Sequence, residues 1–171
     1  TCTVASMFAG SQWACQRTLH AESDSVQRQL ALNGQTLTQR IDRYRTLPEV
    51  LALDTQLQDA LRRPLSTDEV AQLNRKLEQA NGASQSSTLT LLNSDGLAVA
   101  ASNWRSATSN VGQDYSFRPY VQQALAQGRG SFYGIGVTTG VPGYFLSQAI
   151  RDESGHTLGL VVIKIALQEL E

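Results

Sequence analysis

The stretch that decides the fold is Ser86–Asn103, SSTLTLLNSDGLAVAASN. Upstream of it the apolar residues recur every three or four positions. Here the period becomes two, that of a pleated strand rather than a helix. Two such runs, 86–93 and 97–103, flank the turn sequence NSDG, so the pair reads as two strands joined tightly enough to be antiparallel.

Working backward from this point, the chain is helical. Val70, Leu73, Leu77 and Ala80 make one stripe. Its start is marked by Ser66 with Glu69 three positions on, a capping box, and Asn81-Gly82 stops it. RRPLS (62–66) is a connector, and the sequence predicts another helix over Glu49–Leu61 with Val50, Leu53, Leu57 and Leu61 facing inward. Pro48 is expected to end or bend a preceding helix near Leu47. That first helix carries Val26, Leu30, Leu37, Ile41, Tyr44 and Leu47 as a narrow stripe, closer to a coiled-coil seam than to a broad core face.

Working forward, a loop (104–114) leads into DYSFRPYVQQALAQGRG (114–130), a short amphipathic helix. Ser116 is its expected N-cap, Pro119 falls in its first turn and Gly128 lies just past its end. Three further strands follow, within 131–138, 143–152 and 157–167, joined by TGVP (139–142) and ESGH (153–156). The predicted class is α+β: a central antiparallel sheet of about five strands with helices packed on one of its faces and a long N-terminal helix. The expected division is a helix over 1–47 and a globular module over 48–171.

Composition narrows the function. Apolar residues make up 41% of the 171, enough for a real core, and the net charge of −1 is spread rather than striped, which argues against a nucleic-acid surface. No apolar run is long enough to span a bilayer, although residues 1–14 have the character of a membrane-helix tail or a tag. Cys2 and Cys15 form no CxxC pair and, on a helix, stand too far apart to bridge. There is no metal-ligand spacing, phosphate loop or nucleophile signature, so the chain is read as a binding module, without cofactor or metal, rather than an enzyme.

Two cations stand out. Arg118 opens the helix at 114–130, where a positive charge sits badly with the helix dipole and calls for an anion. The ordinary alternative is a surface arginine paired with Asp114. Lys164 interrupts LGLVVIKIAL, sharing a strand face with Leu160, Val162 and Ala166. It guards an edge strand, snorkels to water, or points into a pocket, where an anion would offset its desolvation. Tyr115 adds a hydroxyl donor. Thr138, Thr139 and Gly140 form a polar hairpin tip, which on its own is an ordinary turn.

These stretches, DYSFRPYVQQALAQG, GVTTGVPGYFLSQAI and LGLVVIKIALQELE, with RYRTLPEVLALD, LNRKLEQANGAS and LLNSDGLAVAASNW in the same order, resemble the sensor region of DctB-type C4-dicarboxylate histidine kinases from about Arg43 to the end of the chain. The resemblance implies a PAS-like PDC or Cache fold, specifically the membrane-distal module, in the periplasmic part of a bacterial inner-membrane protein. It also implies a small dicarboxylate ligand (succinate, fumarate or malate) held by both carboxylates, and a cytoplasmic response regulator addressed by a kinase part outside this chain; the narrow stripe of the first helix is itself read as the seam of a parallel homodimer, the alternative being that it packs on this module's own sheet. Carried over residue by residue, the implied ligand contacts are Tyr115, Arg118, Thr138, Gly140 and Lys164, with Ser147, Tyr144 and Asn103 as further candidates. Ser147 and Tyr144 have opposite parity on one strand, so without a bulge both cannot face one pocket. RPYV (118–121) in place of RPYF, and FYGIGVTTG (132–140), depart from the family pattern beside the pocket, which keeps a longer acid such as 2-oxoglutarate open. Other readings are a Cache sensor for an amino acid on a chemoreceptor or cyclase, an α+β enzyme, and a dimerisation module with a vestigial pocket.

Overall fold

The computed structural model describes residues 38–82 and 87–167. The chain divides into two units, Thr1–Ile41 and Asp42–Glu171. Of the first-helix stripe, Val26, Leu30 and Leu37 lie outside the described residues, as do Cys2 and Cys15.

Helical backbone (α1) runs from 38 to 52 and passes through Pro48, contrary to the break expected there. Proline's fixed φ suits a helix, and the cost of its missing N–H is offset where the surrounding turn is buried. Here Leu51 and Ala52 are buried and Pro48 with them. The chain breaks instead at Leu53–Asp54, where the next helix makes its own cap. Asp54 accepts from the N–H groups of Gln56 (2.9 Å) and Leu57 (3.3 Å) and pairs with Lys76 at 2.6 Å. The helical phase therefore does not restart after Pro48. Val50 and Leu53, expected inside, are 59% and 78% exposed.

Helix α2 (Thr55–Leu61) is followed by α3 (Thr67–Asn81), whose capping box is formed as expected: Ser66 Oγ accepts from Glu69 N–H and the Glu69 carboxylate accepts from Ser66 N–H. Leu73 and Leu77 are buried, and so is Asn74, whose Oδ1 accepts from Ala101 N–H at 2.9 Å.

The strands are β1 (Ser87–Asn93), β2 (Ala98–Ala101), β3 (Arg129–Ile135), β4 (Pro142–Arg151) and β5 (Thr157–Ala166), with α4 (Pro119–Gln127) inserted after the second. They form one antiparallel sheet in the order β2-β1-β5-β4-β3. The last strand in sequence therefore lies at the centre, flanked by β1 and β4. Lys164 is consequently not on an edge strand: it stands between Thr88 on β1 and Phe145 on β4.

Parity divides the sheet. Thr88, Thr90, Phe145, Ser147, Val162 and Lys164 share one face. Helix α4 covers it, its Tyr120 ring stacking on Phe145 at 4.8 Å between centroids and 3° between planes. Gly130 lets the helix approach, since a Cβ there would lie 2.6 Å from Tyr120 O. On the other face Gly159 meets Leu61 at the end of α2. Helices thus cover both faces, not one as the sequence suggested. The α4 face holds a core of Leu92, Ala98, Tyr115, Tyr120, Val121, Ala124, Phe145, Leu160 and Val162, and it is this face that carries the polar residues.

Candidate ligand-binding site

Between the sheet, α4 and the β3–β4 hairpin lies a cavity lined by Thr88, Thr90, Leu92, Asn110, Tyr115, Tyr120, Phe145, Val162, Lys164 and the hairpin residues Gly136–Thr139. Its floor is apolar, its rim consists of hydroxyls, an amide and one ammonium, and its lining contains no Asp or Glu.

Lys164 rises from β5 toward the hairpin. Its Nζ donates to Thr139 Oγ1 at 2.6 Å and to Val141 O at 2.8 Å, and lies 5.7 Å from the Phe145 ring centroid. Two glycines make room for it. A Cβ on Gly136 would come within 2.6 Å of Nζ, and one on Gly143 within 2.9 Å of Cε. Burial first, and then the charge of Arg118, hold the lysine below its ordinary pKa. The folded protein thus destabilises this cation, and an anion alongside would relieve that.

Arg118 sits at the N-cap of α4, not in its first turn, and the expected cap Ser116 is not used. The reason is local. The residue before a proline is biased away from the helical region, and Arg118 is extended at φ −75°, ψ 138° with Pro119 as the first helical residue. Its guanidinium is held over three rings, 5.1 Å from the centroid of Phe132, 5.4 Å from Phe145 and 5.5 Å from Tyr120. Nη2 donates to Ile135 O at 2.9 Å, while Nε is buried without a partner. Two of those rings line the cavity; Arg118 packs on them rather than lining it itself. Among the described residues neither Arg118 nor Lys164 is ion-paired, and Asp114 instead accepts from Ser116 N–H at 2.8 Å. The surface-pair alternative for Arg118 therefore fails.

Tyr115 is buried, and its hydroxyl is hydrogen-bonded to Thr138 Oγ1 at the hairpin crest. Burial raises its pKa, and raises that of Tyr120 to about 12, so both remain neutral donors at physiological pH. The hairpin is thereby gripped at three points: Arg118 on its β3 root, Lys164 on its β4 root and Tyr115 on its crest.

The other candidates lie elsewhere. Gly140 is outside the lining; its φ of +68° shapes the tip, and its N–H donates to Gly136 O at 2.7 Å. Ser147 faces the right way but is covered by α4, donating to Tyr120 O at 2.7 Å. Tyr144 points to the opposite face, as parity required. Asn103 is outside the cavity, where it accepts from Asn110 N–H at 3.1 Å and so holds the loop that delivers Asn110. Sequence reasoning missed Thr88, Thr90, Asn110 and Tyr120, and named Thr139 only as part of the hairpin tip. The Thr-Leu-Thr-Leu alternation of β1 was itself visible, but alternation alone puts threonines on the solvent side; Asn110, in a loop, carried no signal.

Comparison with known proteins bears on the family and the fold. Over 141 residues the chain is 35% identical to the C4-dicarboxylate transport sensor protein DctB of Rhizobium meliloti, covering 82% of this chain and 22% of that protein. Over 131 residues it is 32% identical to DctB of Pseudomonas aeruginosa, covering 75% and 21%. The chain thus spans about a fifth of the length of the curated relatives it matches. Among solved structures it resembles the V. cholerae histidine kinase DctB sensor domain with a TM-score of 0.79 at 26% identity, over 90% of this chain and 59% of that one. No family model matches the chain. By sequence and by fold the chain belongs to the DctB-type C4-dicarboxylate sensor family, as a PDC/Cache module of its sensor region.

Proposed function

We propose that this chain is an extracytoplasmic ligand-binding module of a DctB-type sensor histidine kinase, specifically the membrane-distal one, and that its cavity binds a C4-dicarboxylate such as succinate, fumarate or malate. The observation that carries the reading is the pair of cations without carboxylate partners, Lys164 in the lining and Arg118 on the lining's rings, around a cavity with no acidic group. A carboxylate placed beside Lys164 would take hydrogen bonds from its ammonium, from the Thr139 hydroxyl and from whichever hydroxyl of the Tyr115–Thr138 pair keeps its hydrogen free. Such charge-assisted bonds are the strong ones. Arg118 adds positive potential from one ring away.

In this reading the signal passes through the first helix to a membrane span and a kinase beyond this chain, and from there to a cytoplasmic response regulator. The helix pairs with its copy in a parallel homodimer. Ligand shifts the balance of two arrangements by its difference in affinity for them. No helix among the described residues is long and apolar enough to cross a membrane.

The test is titration calorimetry with succinate, malate and 2-oxoglutarate against an amino-acid panel. Binding of a C4 acid is expected, and a preference for amino acids would overturn the reading.

A further inference from the structure

Lys164 accounts for one end of a dicarboxylate, and the opposite wall of the cavity has a different chemistry. Thr88 and Thr90 project from β1 on the same face, Thr88 directly across from Lys164 and Thr90 across from Val162. Thr90 is therefore one pleat repeat further along, about 7 Å, roughly the reach of a four-carbon diacid. Thr90 is only 4% exposed. Its Oγ1 accepts from Asn110 Nδ2 at 2.8 Å. That bond uses a lone pair of the hydroxyl and leaves its hydrogen to be donated. Among the described residues it has no protein acceptor, although the side chain lines the cavity. The Asn110 amide likewise has two N–H groups and spends one on Thr90; its carbonyl is engaged by Asn103 Nδ2 at 3.4 Å. A buried donor without an acceptor is costly, so the Thr90 hydroxyl, with the partly exposed Asn110 amide beside it, calls for an acceptor from outside the protein.

We propose that Thr90 and Asn110 form a neutral, hydrogen-bond-donating subsite that reads the far carboxylate of the ligand, while Asn103 positions Asn110. The proposal rests on the dicarboxylate reading of the cavity and adds how the second end is recognised. It also sets the class of ligand accepted. The far end must present an oxygen acceptor, charged or neutral. An ammonium there would meet donors on the wall and no carboxylate anywhere in the lining, so amino acids are rejected. A methyl group leaves both donors unmet. A site built to hydrogen-bond a polar group rejects the analogue lacking it more strongly than an apolar pocket rejects an added methylene.

Calorimetry on the wild-type chain and on Thr90→Val and Thr90→Ser tests this with three probes: succinate, its half-amide succinamate, and butyrate. Valine keeps the shape and removes only the hydroxyl; serine returns it. Thr90→Val is expected to weaken succinate by about tenfold or more, Thr90→Ser to recover to within about threefold of wild type, and succinamate to bind wild type at least about tenfold better than butyrate. Should Thr90→Val fail to fold, Asn110→Ala, which leaves β1 untouched, takes its place with the same threshold. The subsite is overturned if the folded Thr90→Val or Asn110→Ala protein binds succinate as wild type does while Lys164→Met has lost it. If wild type binds no succinate, the dicarboxylate reading falls first and the subsite with it.

Discussion

Replacing Lys164 by methionine removes the charge and all three N–H donors while keeping most of the stem's volume. In the structure two of the donors go to Thr139 Oγ1 and Val141 O, leaving one for a ligand. Loss of a hydrogen-bonded charge partner costs 2–5 kcal/mol or more in a fully buried interface. Lys164 is only half-buried, so a figure of about 2–3 kcal/mol is appropriate after screening. At 1.4 kcal/mol per tenfold this is about a 30- to 150-fold rise in the succinate Kd. Stability should move much less. Methionine spares the burial that depresses the lysine's pKa, but leaves the Thr139 hydroxyl and the Val141 carbonyl without their donor. The two effects oppose, and the net change is expected within about 1 kcal/mol. Calorimetry with succinate, paired with a thermal melt, reads both quantities. The pH dependence adds a sign. The cation is present below the lysine's pKa, which lies under 10.5, so wild-type affinity should begin to fall at a lower alkaline pH than for an ordinary lysine. A variant that melts like wild type and binds succinate within about threefold of it would refute the assignment of Lys164 to the ligand.

Gly136→Ala should weaken succinate with the fold retained, because the new Cβ meets the flexible end of Lys164 at 2.6 Å, whereas Gly143→Ala meets the Ile165 carbonyl at 2.7 Å and should lower the melting temperature itself; equal effects on melting would contradict the distinction. Tyr120, raised to about 12 chiefly by burial, contributes stability that is fully present below 10 and is lost as pH rises toward 12, so alkaline unfolding monitored by circular dichroism should come later in Tyr120→Phe than in wild type. Glu69, lowered to about 2 first by Arg63 and then by Ser66, contributes stability present above 4.5 and lost as pH falls toward 2; Ser66→Ala should cost about 1 kcal/mol in denaturant melts and reduce that acid sensitivity. Single cysteines placed at Val26, Leu30, Leu37, Ile41 and Tyr44 in the full-length receptor should crosslink with the period of the stripe and change pattern with succinate; a flat, ligand-independent profile would remove this helix as the dimer contact.

Much of the architecture was legible before any coordinates, because its determinants are local. The change of period at Ser86 separates helices from sheet, Ser66 and Glu69 cap α3 from three residues apart, and Gly128 ends α4 with a φ of +92° that only glycine adopts freely. Tyr115, Thr138 and Lys164 were also legible as a group, through an odd cation in an apolar strand and a resemblance that set them together; the structure brings all three to one cavity. What the tertiary structure decided depends on contacts between segments distant in the chain. Pro48 remains helical because its turn is buried and because Asp54, held by Lys76, sets the break instead. Lys164 lies at the centre of the sheet because β5 inserts between β1 and β4, a strand order that no local pattern contains. Thr90 is an inward residue only because α4 and the loop carrying Asn110 close over a face whose alternation alone reads as solvent-exposed. The period of a strand states that its two faces differ; which of them is covered is settled by what packs there, and that is why the donor wall of the cavity was invisible until the sheet was assembled.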